Sequence, residues 1–237
     1  MLFRSGFLHR RKLSFPLDSR VGRGQMGTML EHGSEALASF CLDASLKEAR
    51  PSGYLCIDTE TTGLAGGMGT IPFLTGLSYY EKEERVVEPL FVPELGQEGP
   101  LLGYLAELPE AASALLSYNG KSFDWPLLRA RMLLHRIEHR RDLPHLDLLH
   151  VSRRLLKHRL PSLRLGEVEK HFLDHHREGD IPGSEIPELY FRYLQGEEAD
   201  LAPVFVHNEI DLLALPAILG VMLDEFGERS GARSHDA

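Results

Sequence analysis

Cysteine is scarce in this sequence: Cys41 and Cys56 are the only two in 237 residues, and no Cys-x-x-Cys pair occurs. That scarcity excludes a disulfide framework and a cysteine zinc site. His139-Arg140-Arg141 and His175-His176 also lack the spacing of zinc ligands. A leader-like apolar run is missing near the start, where only Gly6 to Leu8 lie between Arg4 and the basic group Arg10, Arg11 and Lys12. No stretch is read as reaching the length of a membrane span, so the expectation is a cytoplasmic protein with no membrane partner. Positive charge is short overall, with a net charge of -9. Taken alone, that balance argues against a nucleic-acid partner. Its distribution argues the other way: Arg129 to Arg159 holds nine Lys and Arg against Glu138, Asp142 and Asp147, a local balance of +6, together with five histidines. A charge run of this kind is ordinarily a solvated face and gains meaning only beside a site.

What is present is enough apolar residue, 43% of the chain, to bury one sizeable core. Residues 1–50 carry basic residues and a weakly helical stretch near Ser34 to Glu48, and read as an arm or peripheral helix. From Gly53 the pattern changes. Tyr54 to Ile57, Phe73 to Tyr80 and Arg85 to Val92 read as strands, the last two joined by the short polar link Glu81 to Glu84. A helix around Leu101 to Leu108 and a strand over Ala114 to Tyr118 follow, closed by Asn119-Gly120. Helical spacing then runs from Asp124 to Arg136, with Pro126 suited to a first turn. Leu146 to Leu149 reads as a strand entering a helix that carries Arg153, Arg154 and Lys157. Further helices are predicted from Pro161 to about Phe172, from Glu188 to Leu194, and from Leu201 to Phe226, the last with a kink at Pro216. Asp180 to Pro187 is a Gly- and Pro-rich loop, and residues 227–237 read as a disordered tail. The expected fold is α/β, a mixed sheet whose first three strands are antiparallel, flanked by helices over residues 51–226.

The sharpest local feature is Cys56-Ile57-Asp58-Thr59-Glu60-Thr61-Thr62-Gly63-Leu64. Residues i and i+2 of a strand share a face, so Asp58 and Glu60 would stand side by side. Like charges that close repel unless a cation neutralises them, and hard divalent ions such as Mg2+ or Mn2+ prefer carboxylate oxygens. A bare Asp-x-Glu is more often an ordinary strand end. Two other segments give it company: Ser117-Tyr118-Asn119-Gly120-Lys121-Ser122-Phe123-Asp124 and Val206-His207-Asn208-Glu209-Ile210-Asp211.

Together these three segments resemble, in order, the motifs of the DEDD, or DnaQ-like, 3'-5' exonuclease superfamily, whose fold is ribonuclease H-like; the wording looks most like its bacterial YprB-like branch. The resemblance spans roughly Gly53 to Phe226. It implies that Asp58, Glu60, Asp124 and Asp211 hold two metal ions, Mg2+ or Mn2+, with Asp58 bridging them. Two such ions about 3.5 to 4 Å apart activate a water and stabilise the leaving 3'-oxygen during in-line attack on phosphorus. His207 becomes the candidate general base. It stands four residues before Asp211, the spacing of the tyrosine subclass, and on a helix that places both on one face. Thr61, Thr62, Gly63 and Leu64 would contact the terminal nucleotide, with Leu64 as a wedge, and Asn119 and Lys121 are further substrate-binding candidates. Gly66, Gly67 and Gly69 extend that loop without a phosphate-loop lysine.

Asp147 is read as structural rather than catalytic, and Trp125, the only tryptophan, as a core anchor rather than a stacking platform. The implied activity is metal-dependent hydrolysis of single-stranded DNA or RNA from the 3' end. A ribonuclease H-like endonuclease, a non-catalytic nucleic-acid-binding module on the same fold, and a phosphatase or small-nucleotide hydrolase are the alternatives.

Overall fold

Every core strand in this computed structural model, which describes residues 8–63, 69–107 and 111–231, is arranged around one central strand. The elements run β1 (His9–Arg10), β2 (Leu13–Pro16), β3 (Arg20–Val21), β4 (Gly24–Gln25), α1 (Ser34–Cys41), β5 (Tyr54–Thr61), β6 (Pro72–Glu81), β7 (Glu84–Phe91), α2 (Gly99–Ala106), β8 (Ala114–Ser117), α3 (Asp124–Leu134), β9 (His145–Asp147), α4 (Leu148–Leu156), α5 (Leu165–Leu173), α6 (Ile186–Leu194) and α7 (Ala202–Gly231). Strand β5 starts as an unbroken apolar run because both of its faces are covered. Tyr54 and Cys56 enter a core shared with α1, α5 and α7, while Leu55 and Ile57 enter a second core beneath α2, α3 and α6.

The main sheet has the order β1-β7-β6-β5-β8-β9, with β2 also pairing β7. β5, β6 and β7 are antiparallel neighbours, and β8 and β9 add parallel to β5. The mixed sheet with three antiparallel leading core strands is as expected from the sequence. Because β5, β8 and β9 point the same way, Asp58 and Glu60, the turn after Ser117, and Asp147 all come to one end of the sheet. Carboxyl ends of parallel strands are where open α/β sheets place their ligands.

The N-terminal segment departs from the expected arm. Leu13 and Phe15 pair with Val87 and Arg85, adding β2 to the main sheet, and Met29, Leu37, Ala38, Phe40 and Leu46 are buried. The apolar positions there are spread over short elements, so no long period announces them, yet they close the core over β7 and α7. The helix predicted from Pro161 begins only at Leu165; the Tyr118 hydroxyl donates to the Leu163 carbonyl (2.5 Å), holding the approach to α5 out of helical form.

Helix α7 corrects two further expectations. Its stretch Ala202–Phe226 is long and apolar enough to cross a membrane by length and composition, although none was expected. It owes that character to burial within the protein: Leu212, Ala214, Leu215, Ala217, Ile218, Leu219 and Met222 are all buried. The helix, which contains Pro216 as expected, also continues to Gly231, into the predicted tail. Residues 232–237 lie outside the described residues.

Candidate active site

Asp58 and Glu60 point from β5 towards α7. Opposite Asp58 in the antiparallel register stands Gly76, and opposite Glu60 stands Leu74. Asn208 reaches down from α7 and donates from Nδ2 to Asp58 Oδ2 (2.7 Å) and, more distantly, to the Asp58 carbonyl (3.4 Å). Gly76 makes this possible: a Cβ there would stand 2.0 Å from Asn208 Oδ1 and 2.4 Å from Leu212 Cδ1. An interior glycine in an apolar strand signals such a close approach. Asn208 lies three residues before Asp211, one helical turn along α7.

Asp124 opens α3 directly after the Asn119-Gly120 turn. Its Oδ1 accepts the Thr59 backbone N–H (3.1 Å) and the Thr59 hydroxyl, which ties the second motif to the first. Gly120 is tight for the same reason, since a Cβ there would stand 2.7 Å from Ser117 Cβ and 3.0 Å from Asp124 Oδ2. Asp211 is bound through Oδ1 by the Arg177 guanidinium, and its Oδ2 stands 3.8 Å from His207 Nε2. The other imidazole nitrogen, Nδ1, lies 2.8 Å from Asp180 Oδ1. Arg177 also binds Asp180 Oδ2 (3.0 Å) and Glu169 Oε2 (2.7 Å).

The electrostatics follow from crowding acids in a half-dry place. Burial, then the charges of Asp211, Glu60 and Asp124, raise Asp58 well above the ordinary carboxylate range. Burial raises Glu60 to about 7 despite the nearby His207, and raises Asp124 to about 6 against the Thr59 hydrogen bonds. Asp211 is raised by burial, with Arg177 and His207 pulling the other way. For His207, burial pulls its pKa down, but Asp211, Glu60 and Asp180 outweigh that and leave it raised. The site is short of positive charge.

Oxygen-only donors of this kind suit a hard divalent ion, and adding one would relieve the repulsion. The side chains as they stand are each turned to a protein partner: Asp58 to Asn208, Asp124 to Thr59, and Asp211 to Arg177. Among the described residues, no three His, Cys, Asp or Glu side chains already close around one point. The donor chemistry therefore fits a divalent ion, and binding would require these carboxylates to turn from those partners.

The expected substrate contacts divide. Thr61 Oγ1 donates to the Gly63 carbonyl (2.8 Å) and Thr62 Oγ1 accepts the Ile71 N–H (3.0 Å), so both hydroxyls shape the loop that leaves β5. Leu64, Gly66 and Gly67 lie outside the described residues. Asn119 adopts a left-handed conformation with φ 65°, and its N–H (2.8 Å) and that of Lys121 (3.1 Å) both go to the Asp147 carboxylate. Asp147 also caps α4 through Leu149 N–H (3.0 Å), which gives it the structural part expected of it. The Lys121 ammonium donates to the His145 carbonyl (3.2 Å). Trp125 is buried as a core anchor, edge-on to His139.

Five of the nine cations of the basic segment have hydrogen-bond or ion-pair partners within the protein, two of them in exposed surface pairs. Arg131 binds Glu98, Arg129 pairs with Asp142 (3.2 Å), Arg140 with Glu107 (3.3 Å), Arg141 donates to the Ala112 carbonyl (3.0 Å), and Arg154 to that of Phe40. Arg177, Asp180 and Glu169, which sequence reasoning missed, do stand at the site. They come from α5 and the irregular connector after it, where no local period marks them.

Known proteins share this arrangement to different extents. The chain is 34% identical over 221 residues to the uncharacterized protein YprB of Bacillus subtilis (strain 168), which covers 90% of this chain and 52% of that protein. It thus spans about half the length of that curated relative. Its fold is similar to that of the family B DNA polymerase from the hyperthermophilic archaeon Pyrobaculum calidifontis, with a TM-score of 0.58 and 17% identity over 75% of this chain and 25% of the polymerase. At that identity the likeness is one of fold. The sequence pattern of the RNase_H superfamily matches residues 55–223, from the strand that carries Asp58 to the helix that carries Asp211, and the chain belongs to that superfamily.

Proposed function

We propose that this protein is a divalent-metal-dependent nuclease that removes nucleotides from the 3' end of single-stranded DNA or RNA. One observation carries the reading: three segments far apart in sequence deliver Asp58, Glu60, Asp124 and Asp211 to one end of the sheet, where burial raises all four and the neighbouring acids of the set raise Asp58 and Glu60 further. A fold has no structural use for such repulsion, and perturbed groups of this kind gather at functional sites. Superfamily membership supports the nuclease class.

In this reading Asp58, Glu60, Asp124 and Asp211 would hold two divalent ions, Mg2+ or Mn2+. Bound ions would polarise the attacking water and neutralise charge on the leaving oxygen. The water's oxygen bonds to phosphorus, the bond to the 3'-oxygen breaks, and the product is a nucleoside 5'-monophosphate. His207 Nε2, facing the carboxylates, takes the water's proton. Asn208 keeps Asp58 turned towards α7, and Thr59 keeps Asp124 at the mouth of α3. The loop that begins at Thr61 to Gly63 and the turn at Asn119 to Lys121 border the same end of the sheet, where the terminal nucleotide would lie.

The test is a panel of 5'-labelled single- and double-stranded DNA and RNA with Mg2+ or Mn2+, run beside Asp58→Ala and Asp211→Ala. A ladder shortening from the 3' end, lost in both variants, is expected. Discrete internal fragments would point to an endonuclease, binding without cleavage to a binding module, and activity surviving both substitutions would end the proposal.

A further inference from the structure

His207 is gripped from the side away from the carboxylates. A carboxylate only accepts hydrogen bonds, so Nδ1, 2.8 Å from Asp180 Oδ1, is the ring's donor nitrogen. In the neutral ring that leaves the Nε2 lone pair facing the acids, 3.8 Å from Asp211 Oδ2. Asp180 is itself fixed, because its second oxygen accepts from Arg177 Nη1 (3.0 Å). Both of its oxygens are thus engaged within the protein. Arg177 is anchored in turn on Glu169, whose side chain is 0% exposed, and it also binds Asp211.

We propose that Asp180 is a positioning residue that fixes the orientation and tautomer of His207, and that Arg177 holds Asp180 and Asp211 in a single array. The inference rests on the nuclease reading of this site. It answers why a histidine at this spacing from Asp211 can serve: the ring's direction is set by a carboxylate from the connector between α5 and α6 rather than by helix geometry alone. A purely structural Asp180, present only to neutralise Arg177, would be redundant beside Glu169 and Asp211. Hydrogen-bonded partners that set an imidazole's tautomer are worth about 10- to 100-fold in activity in metal sites.

The test uses the full chain with Asp180→Asn, Asp180→Ala and Asp180→Glu, measuring kcat and KM on a single-stranded oligonucleotide, Mn2+ binding, and the proton–nitrogen NMR signals of His207 assigned with a His207→Gln control. We expect kcat to fall about 10- to 100-fold in Asp180→Asn with KM and Mn2+ affinity unchanged, partial recovery in Asp180→Glu, and loss of the hydrogen-bonded Nδ1–H signal seen in the wild type, because Arg177 claims the single amide oxygen and the NH2 group left facing Nδ1 cannot accept. Unchanged kcat and an unchanged Nδ1–H signal would overturn the inference, as would a loss of Mn2+ binding, which would make Asp180 a ligand. If Asp180→Ala fails to fold, Asp180→Asn, of the same shape, decides. If the wild type cuts no nucleic acid, the nuclease reading falls, and the Nδ1–H signal alone decides this one: its loss in Asp180→Asn supports the positioning role and its persistence overturns it.

Discussion

Two groups of buried acids in this molecule are built in opposite ways. Glu98 has a side chain that is 0% exposed, yet its Oε1 is met by Arg131 Nε (2.6 Å), by a second Arg131 nitrogen and by His135 Nε2 (2.6 Å). Glu88 likewise meets Arg10 (2.9 Å) and the hydroxyls of Tyr79 (3.0 Å) and Tyr104 (3.0 Å). These acids arrive with their own donors, as buried charges must when they serve the fold. At the carboxylate end of the sheet the acids crowd one another, and Arg177 and His207 are the cations that act on them among the described residues. The difference separates charge that the protein has balanced from charge left for something outside the chain to balance.

The comparison breaks most sharply at Asp58. Asp58→Asn keeps the shape, and an amide oxygen there can still accept from Asn208, so the fold should survive. Losing one ligand should cost several kcal/mol of transition-state stabilisation, about 1000-fold in rate. The metal-free variant should melt no lower than the wild type, because one member of a repelling set has been removed. An activity assay run beside thermal unfolding checks both, and a large drop in stability would mean that Asp58 is balanced after all. Glu98→Ala should behave in the reverse sense. It leaves Arg131 and His135 facing a site that has lost its carboxylate and should destabilise the fold by about 3–5 kcal/mol, measured by urea unfolding, while the folded fraction keeps its activity.

A subtler break lies at Gly76→Ala. The added methyl group must push Asn208 off Asp58 without touching any acid. Activity and Mn2+ affinity should each fall about 10- to 100-fold, the scale for removing a group that orients a ligand, whereas Ala at the open Gly103 should change neither.

Local rules reach only part of the candidate site. Asp58 and Glu60 share a face by the period of a strand, whereas Asp124 and Asp211 stand out through the order of three motifs that resemble a known superfamily. The antiparallel core strands β5, β6 and β7 were legible because each runs eight to ten residues, long enough to show its pattern. Arg177 and Asp180 were not, because they sit in an irregular connector and acquire meaning only when tertiary folding brings them to α7. Leu13 and Phe15 do alternate, but four residues are too few to tell an edge strand from a loop before β7 is in place. The basic stretch from Arg129 to Arg159 shows a related limit of local reading. Its cations find partners such as Glu98, Glu107 and the Phe40 carbonyl that are distant in sequence, so a local charge count overstates what is offered to phosphate.

The mildest expected effect is on pH dependence, and it tests the imbalance without changing a residue. In the metal-free chain Glu60 is raised from 4.5 to about 7 and Asp124 from 3.8 to about 6, with Asp58 and Asp211 raised as well. The folded state therefore holds these protons more tightly than the unfolded one. Their stabilisation is fully present below about pH 4 and is lost as pH rises through about 6 and 7. His145 opposes this: burial lowers it from 6.5 to about 4, so its contribution is present above 6.5 and lost as pH falls towards 4. Above pH 6.5 the His145 imidazole becomes neutral in both states, and His207, whose pKa is raised, loses its stabilisation in the same sense as the acids. Between pH 6.5 and 8 the melting temperature of the metal-free protein should fall as pH rises, less so in Asp58→Asn. Mn2+, which takes the place of the protons, should flatten the wild-type profile. A slope that neither the substitution nor the metal alters would place the titrating groups elsewhere and remove the electrostatic contrast between the two groups of acids.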